Sequence, residues 1–161
     1  MKQSSPKEKI VVATAGGFDP LHIGHVRLIK EARKLGDRLI VILNNDHWVK
    51  RKKGYVFMPE QERKEILLAI EEVDEVVITK HKPNNKDSSV MRELKLIRPN
   101  IFARGGDTSP KAPNGDQELL LCKQLGIRMI FGIGHGSKVQ SSSKLVKKAR
   151  NKKPLKKIGQ K

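Results

Sequence analysis

Five short apolar runs alternate with stretches of helical periodicity along this chain, and that alternation constrains the fold more than any other feature. The runs are Lys9–Ala15 (KIVVATA), Arg38–Leu43 (RLIVIL), Glu75–Thr79 (EVVIT), Ile101–Arg104 (IFAR) and Arg128–Phe131 (RMIF). They are continuous rather than alternating, so both faces of each strand must be covered. That is the signature of a parallel sheet between helical layers. The helical pattern of Val26–Leu35 carries apolar residues at 26, 28, 29, 32 and 35, and Gly36 stops it. Pro59 takes a favoured first helical position ahead of the stripe Ile66, Leu67 and Ile70. Ser88 or Ser89 can cap a helix to about Ile97, broken at Arg98-Pro99. A helix near Asp116–Leu125 closes at Gly126, and Ser141–Ser143 open a last helix, Lys144–Arg150. Residues 45–57 read as a basic loop. The βα order predicts an α/β fold: a doubly wound, Rossmann-like, five-stranded parallel sheet with helices on both faces. A chain of 161 residues supports one domain, over 1–150, followed by a basic tail over 151–161.

The formal net charge of +17 divides unevenly. From Lys144 to Lys161 there are nine Lys/Arg and no acids, so the remaining residues carry +8. The tail reads as a solvated end or as a patch for nucleic acid or anionic surfaces. The basic body suits an anionic small substrate equally well. One cysteine, Cys122, excludes an intrachain disulfide framework and a cysteine-built zinc site. No run of about 18 apolar residues marks a membrane span, and MKQSSPKEK lacks an apolar leader. The expected location is the cytoplasm.

In doubly wound sheets ligands bind at the carboxyl ends of the strands. That rule gathers Gly16–His25, Asn44–Lys53, Gly105–Asp107 and Gly134–Ser143 on one edge. The first of these, Gly16-Gly17-Phe18-Asp19-Pro20-Leu21-His22-Ile23-Gly24-His25, joins a strand to a helix. Gly24 lets an anion approach the backbone closely. The helix N-terminus offers free N–H groups. His22 and His25, three apart, share a face and can donate to phosphate oxygens as charge builds on phosphorus.

These residues resemble the HxGH signature of the nucleotidylyltransferase superfamily, which includes cytidylyl- and adenylyltransferases. Further segments are similar in the family order: Asn44-Asn45-Asp46, the run Val49-Lys50-Arg51-Lys52-Lys53-Gly54, Pro59 to Arg63, Arg104-Gly105-Gly106-Asp107, and Ser141-Ser142-Ser143. The basic loop and the RGGD turn most resemble the heptose-phosphate adenylyltransferase and glycerol-phosphate cytidylyltransferase group, with archaeal-type FAD synthetases close by. The resemblance implies transfer of NMP from ATP or CTP onto the phosphate of a phosphorylated sugar or polyol, heptose 1-phosphate first. Glycerol 3-phosphate or FMN are the alternative acceptors. Pyrophosphate leaves in an in-line displacement with Mg²⁺ and no organic cofactor.

By position, the resemblance implies that His22, His25 and Lys53 are catalytic. It implies nucleotide contacts from Gly16, Gly17, Phe18, Gly24, Lys50, Arg63, Arg104, Gly105, Asp107, Ser141, Ser142 and Ser143. Asp19 is a candidate for Mg²⁺, for orienting His22, or for a turn with Pro20. Lys138 stands where many relatives carry an arginine, without the guanidinium fork. The family implies a homodimer. The rival reading, from the charge, is a nucleic-acid-binding protein on a nucleotide-binding fold, with few aromatics (4%) for stacking on bases. A class I aminoacyl-tRNA synthetase fragment shares the histidines but needs a KMSKS-type loop that is absent here.

Overall fold

Strands form where the apolar runs lie: β1 (Val11–Gly16), β2 (Arg38–Leu43), β3 (Glu75–Ile78), β4 (Ile101–Gly105) and β5 (Arg128–Ile133). The computed structural model of the protein describes residues 8–84, 86–106, 115–134 and 140–151. The strands form one sheet in the order β3-β2-β1-β4-β5, and every neighbouring pair is parallel. Among the described residues six helices accompany them: α1 (Ile23–Arg33), α2 (Asp46–Lys53), α3 (Glu60–Leu68), α4 (Met91–Ile97), α5 (Gly115–Leu125) and α6 (Ser142–Arg150). The expected Rossmann-like α/β architecture is present.

The pleat explains the continuous runs, because successive strand residues point to opposite faces. Val12 and Val41 pack with Ile29 and Ala32 of α1 and Leu67 of α3. Their neighbours Ala13 and Ile42 pack on the other face with Leu94 of α4 and Leu121 and Cys122 of α5. Each such buried aliphatic side chain contributes about 1.5–3 kcal/mol. The chain leaves β1 toward β2 and returns to β4 on β1's other side. The carboxyl ends of β1 and β4 therefore open a crevice at the switch point.

Several local expectations are corrected. Residues 45–57 are not all loop, since α2 occupies Asp46–Lys53. The Asn45 side chain accepts from the Trp48 N–H at 3.0 Å and so caps it. Trp48 and Val49 are buried, and Gly54, at φ 82, ends the helix in the left-handed region. Four consecutive cations masked this narrow apolar face. Pro59 is the N-cap of α3, one residue before the first helical position. Neither Ser88 nor Ser89 caps α4, which starts after Val90. Instead the Ser89 N–H donates to Asp87 Oδ1 at 2.8 Å, a turn ahead of the helix. Helix α1 begins at Ile23, so His25 lies inside it, and β5 runs on to Ile133. Asp107, Lys138 and residues 152–161 of the tail lie outside the described residues. Among the described residues no helix is long and apolar enough to cross a membrane.

Candidate active site

The turn after β1 is tightly specified. Phe18 sits at φ 49, in the left-handed region that bulky residues avoid, and its ring is 2% exposed. A Cβ on Gly16 would stand 3.0 Å from that ring, so glycine makes room for it. The Phe18 ring in turn lies 4.8 Å from that of His25.

Asp19 is fully buried. Its carboxylate accepts from the Phe57 N–H at 2.8 Å and the Met58 N–H at 2.7 Å. It fastens the segment after α2 to the β1 turn. Of the three roles considered for Asp19, this arrangement fits the structural one better than Mg²⁺, because the carboxylate is enclosed and each oxygen accepts a backbone N–H. No group of three or more His, Cys, Asp or Glu suited to a metal ion exists among the described residues.

His22 is the N-cap of α1 and His25 is three residues on. The His22 N–H donates to His25 Nδ1 at 3.3 Å. In the neutral imidazole, an accepting Nδ1 leaves the proton on Nε2. The two rings are stacked at 3.7 Å between centroids and 18° between planes. A Cβ on Gly24 would stand 3.1 Å from Cε1 and Nδ1 of His22. Gly24 thus leaves space for the His22 ring, a role beside the anion approach expected of it. Gly24→Ala is expected to push that ring aside. Turnover should fall about 10-fold or more, through misplacement of a hydrogen-bond donor. Thermal melting should move little, because alanine favours a helix by about 0.5–1 kcal/mol.

The three serines divide their work. Ser141 caps α6, its Oγ accepting from the Lys144 N–H at 3.4 Å. The Ser142 hydroxyl donates to the Pro20 carbonyl at 2.9 Å and ties α6 to the β1 turn. Ser143 is exposed. Lys53, at the end of α2, donates from Nζ to the Asp19 carbonyl at 2.6 Å. Burial pushes the Lys53 ammonium below the ordinary lysine range. Asp19 opposes the shift, and Arg63 and Lys52 reinforce it.

Two chambers meet at this edge. One, of about 280 Å³, is lined by His22, His25, Lys53 and Ser141–Ser143. The other, of about 640 Å³, is lined by Asn44, Arg51, Lys86, Arg104 and Glu118. Gly17, Phe18, His25, Trp48, Lys52 and Gly105 face both. Gly24 lines the first chamber only, Gly16 the second only. Arg104 approaches Glu118 at 3.6 Å and lies over the Phe102 ring at 5.2 Å.

Two other expected contacts are corrected. Lys50 is exposed on α2 and lines neither chamber, because its neighbours Lys52 and Lys53 take the inward positions. Arg63 is 1% exposed and spends its donors on protein groups, so it supports the site from beneath. Sequence reasoning missed Trp48, Lys52, Gln140 and Glu118. Trp48 had a signal, a lone large apolar residue in a basic run. Glu118 had none, since only the α5 placement brings it to Arg104. Cys122 is buried, and burial pushes its thiol up to about 11, so it offers no nucleophile.

The structure is of Rossmann-like build, with a crevice at the switch point of its parallel sheet walled by two helix starts, histidines, serines and lysines. Residues 13–149 match the family described as Cytidylyltransferase-like. The chain is 38% identical over 109 residues to the bifunctional protein HldE of Syntrophotalea carbinolica, covering 66% of this chain and 21% of that one. It thus spans about a fifth of the length of that HldE. It is 36% identical over 144 residues to the FAD synthase of Thermococcus sibiricus, covering 88% of this chain and 93% of that one. The solved structure of a lipopolysaccharide core biosynthesis protein from Thermoplasma volcanium superposes with a TM-score of 0.64 at 27% identity. That superposition covers 83% of this chain and all of the other. The chain belongs to the cytidylyltransferase-like family.

Proposed function

We propose that the protein transfers NMP from ATP or CTP onto the phosphate of a phosphorylated small molecule, releasing pyrophosphate. One observation carries this reading: the stacked His22–His25 pair shares a chamber with Lys53 and the start of α6. The acceptor phosphate oxygen attacks the α-phosphorus in line, and the bond to the bridging α–β oxygen breaks. His25 Nε2–H and the His22 ring stabilise the charge that builds on the α-phosphoryl oxygens. Lys53, Ser143 and the N–H groups opening α6 receive the departing pyrophosphate. No side chain forms a covalent intermediate. Mg²⁺, if bound with the triphosphate, would neutralise part of the phosphate charge.

The larger chamber suits the acceptor, with Arg51, Lys52 and Lys86 as cations for its phosphate. A sugar phosphate of the heptose 1-phosphate type is the first reading, in line with the HldE relatives. FMN is the second, favoured because the FAD synthase match runs along nearly the whole of both chains. Purified protein with Mg²⁺ and ATP or CTP is offered heptose 1-phosphate, glycerol 3-phosphate and FMN, and pyrophosphate is measured. Turnover with one pair fixes base and acceptor together. Absence of both turnover and nucleotide binding would overturn the reading.

Lys53 gives a pH signature. Its ammonium titrates below the ordinary lysine value of 10.5 because it is buried. A bound triphosphate stabilises the charged form and raises the value again. Between the two values the complex holds more protons than the free protein, so nucleotide binding is expected to take up protons at alkaline pH. Calorimetry in buffers of differing ionisation heat measures that uptake. Lys53→Met should remove it.

A further inference from the structure

On the side of α1, α3 and the starts of the strands four cations are paired: Lys30 with Glu72, Arg33 with Asp74, Lys34 with Glu31 and Arg38 with Glu75. Arg27, Lys64 and Arg128 on that side stand in no salt bridge among the described residues, but they are spread over α1, α3 and β5. On α2 and α6 the unpaired cations are concentrated. Residues 140–151 contain four cations and no acid. Helix α2 has four cations and one acid, Asp46, which is paired with Arg63. Among the described residues, Lys50, Lys144, Lys147, Lys148 and Arg150 stand in no salt bridge, and all five are exposed.

The two helices form one surface. Arg150 lies over the Tyr55 ring at 5.0 Å, joining the end of α6 to the segment after α2. At the other end, Ser142 and Lys53 bond to the adjacent carbonyls of Pro20 and Asp19. This surface extends beyond what a triphosphate needs. Arg150 is eight residues past Ser142, about 12 Å along the helix axis. Lys147 and Lys148 follow Lys144 by three and four residues, which places each about 5–6 Å from Lys144 on the helix surface.

We propose that the α2–α6 surface docks the phosphate backbone of a nucleic acid, without reading bases. A duplex carries a charge about every 1.7 Å of its axis, so a stripe of this length faces several phosphates. Helix α6 has no aromatic residue, so it supplies charge and no stacking platform, which fits backbone contact. A lipid surface fits less well: Val146 is buried and Leu145 half-buried against the protein, so α6 has no apolar side left to insert. Beyond Asn151 the sequence continues with five lysines and no acid, in the same sense. This inference is independent of the acceptor and of the transfer reaction.

The test uses the full chain and a fluorescein-labelled 20-base-pair DNA duplex, with affinity measured by anisotropy across a salt series. The triple variant Lys147→Ser, Lys148→Ser, Arg150→Ser should weaken binding about 10-fold or more. It should also reduce the slope of log affinity against log salt by about 2–3, at ~0.9 for each phosphate no longer neutralised. Lys30→Ser, Lys34→Ser, Arg38→Ser removes the same charge from the paired side and should leave both quantities near those of the parent. Thermal melting confirms that both variants fold. Equal losses in the two triples would reduce the effect to net charge and overturn the proposal. So would unaltered binding by the α6 triple, or binding to phosphatidylglycerol vesicles with none to the duplex.

Discussion

Replacing His22 and His25 together with alanine is expected to lower kcat/KM for pyrophosphate release by at least about 10³-fold. The two rings are the donors placed to meet charge as it develops on the transferred phosphoryl group. Loss of one such donor typically costs about 10²–10³ in rate. The losses of a stacked pair do not add, because each ring holds the other. Contact between the rings at 3.7 Å, with the His22 N–H donating to His25 Nδ1, means that either single variant also disturbs its neighbour. The single variants should therefore each fall most of the way to the double. Nucleotide affinity should change far less, since Lys53 and the start of α6 remain in place. A double variant with parental turnover would remove the histidines from the reaction. Neither ring belongs to the buried core, so melting should stay near that of the parent.

Those histidines stood out in the sequence through the whole Gly16–His25 pattern at a strand–helix junction, since two histidines three apart would alone read as an ordinary pair. The sheet was legible because a strand covered on both sides must be apolar at every position, as at Leu39–Leu43. Charge hid what periodicity could have shown. In Asp46–Lys53 only Trp48 and Val49 are buried, and four cations in a row read as loop. Long-range polar contacts were beyond reach. Asp19 looked available for a metal because nothing local shows that the N–H groups of Phe57 and Met58 fold back onto it. Arg104 showed itself as part of a turn, but its proximity to Glu118 exists only once α5 packs beside β4. Arg63 is the extreme case, since an arginine on a helix is ordinarily at the surface.

Arg63→Leu is expected to be the most destabilising single substitution near the site. The guanidinium is 1% exposed. Its Nε donates to the Met58 carbonyl at 2.9 Å, and Nη1 to those of Gly17 at 2.6 Å and Asn44 at 2.8 Å. Its Nη2 meets Asp46 Oδ1. One side chain thus binds the end of β1, the end of β2 and the segment entering α3. Leucine would fill much of the volume yet leave three carbonyls and a carboxylate without their donor. Removing one partner of a buried ionic cluster costs about 3–5 kcal/mol. At about 2–4 °C per kcal/mol for a domain of this size, melting should drop by roughly 10 °C. Arg63→Lys keeps the charge but supplies no planar fork, so it should recover only part of the loss. Asp46→Asn should cost less than either, because the Asp46 side chain is 35% exposed and water can replace part of the contact. Urea unfolding of the three variants orders these costs directly. Below its melting point Arg63→Leu should also turn over slowly, because the Gly17 carbonyl it holds sets the Phe18 turn on which His25 rests. Parental stability in Arg63→Leu would show that the guanidinium fork is dispensable to the three segments it joins.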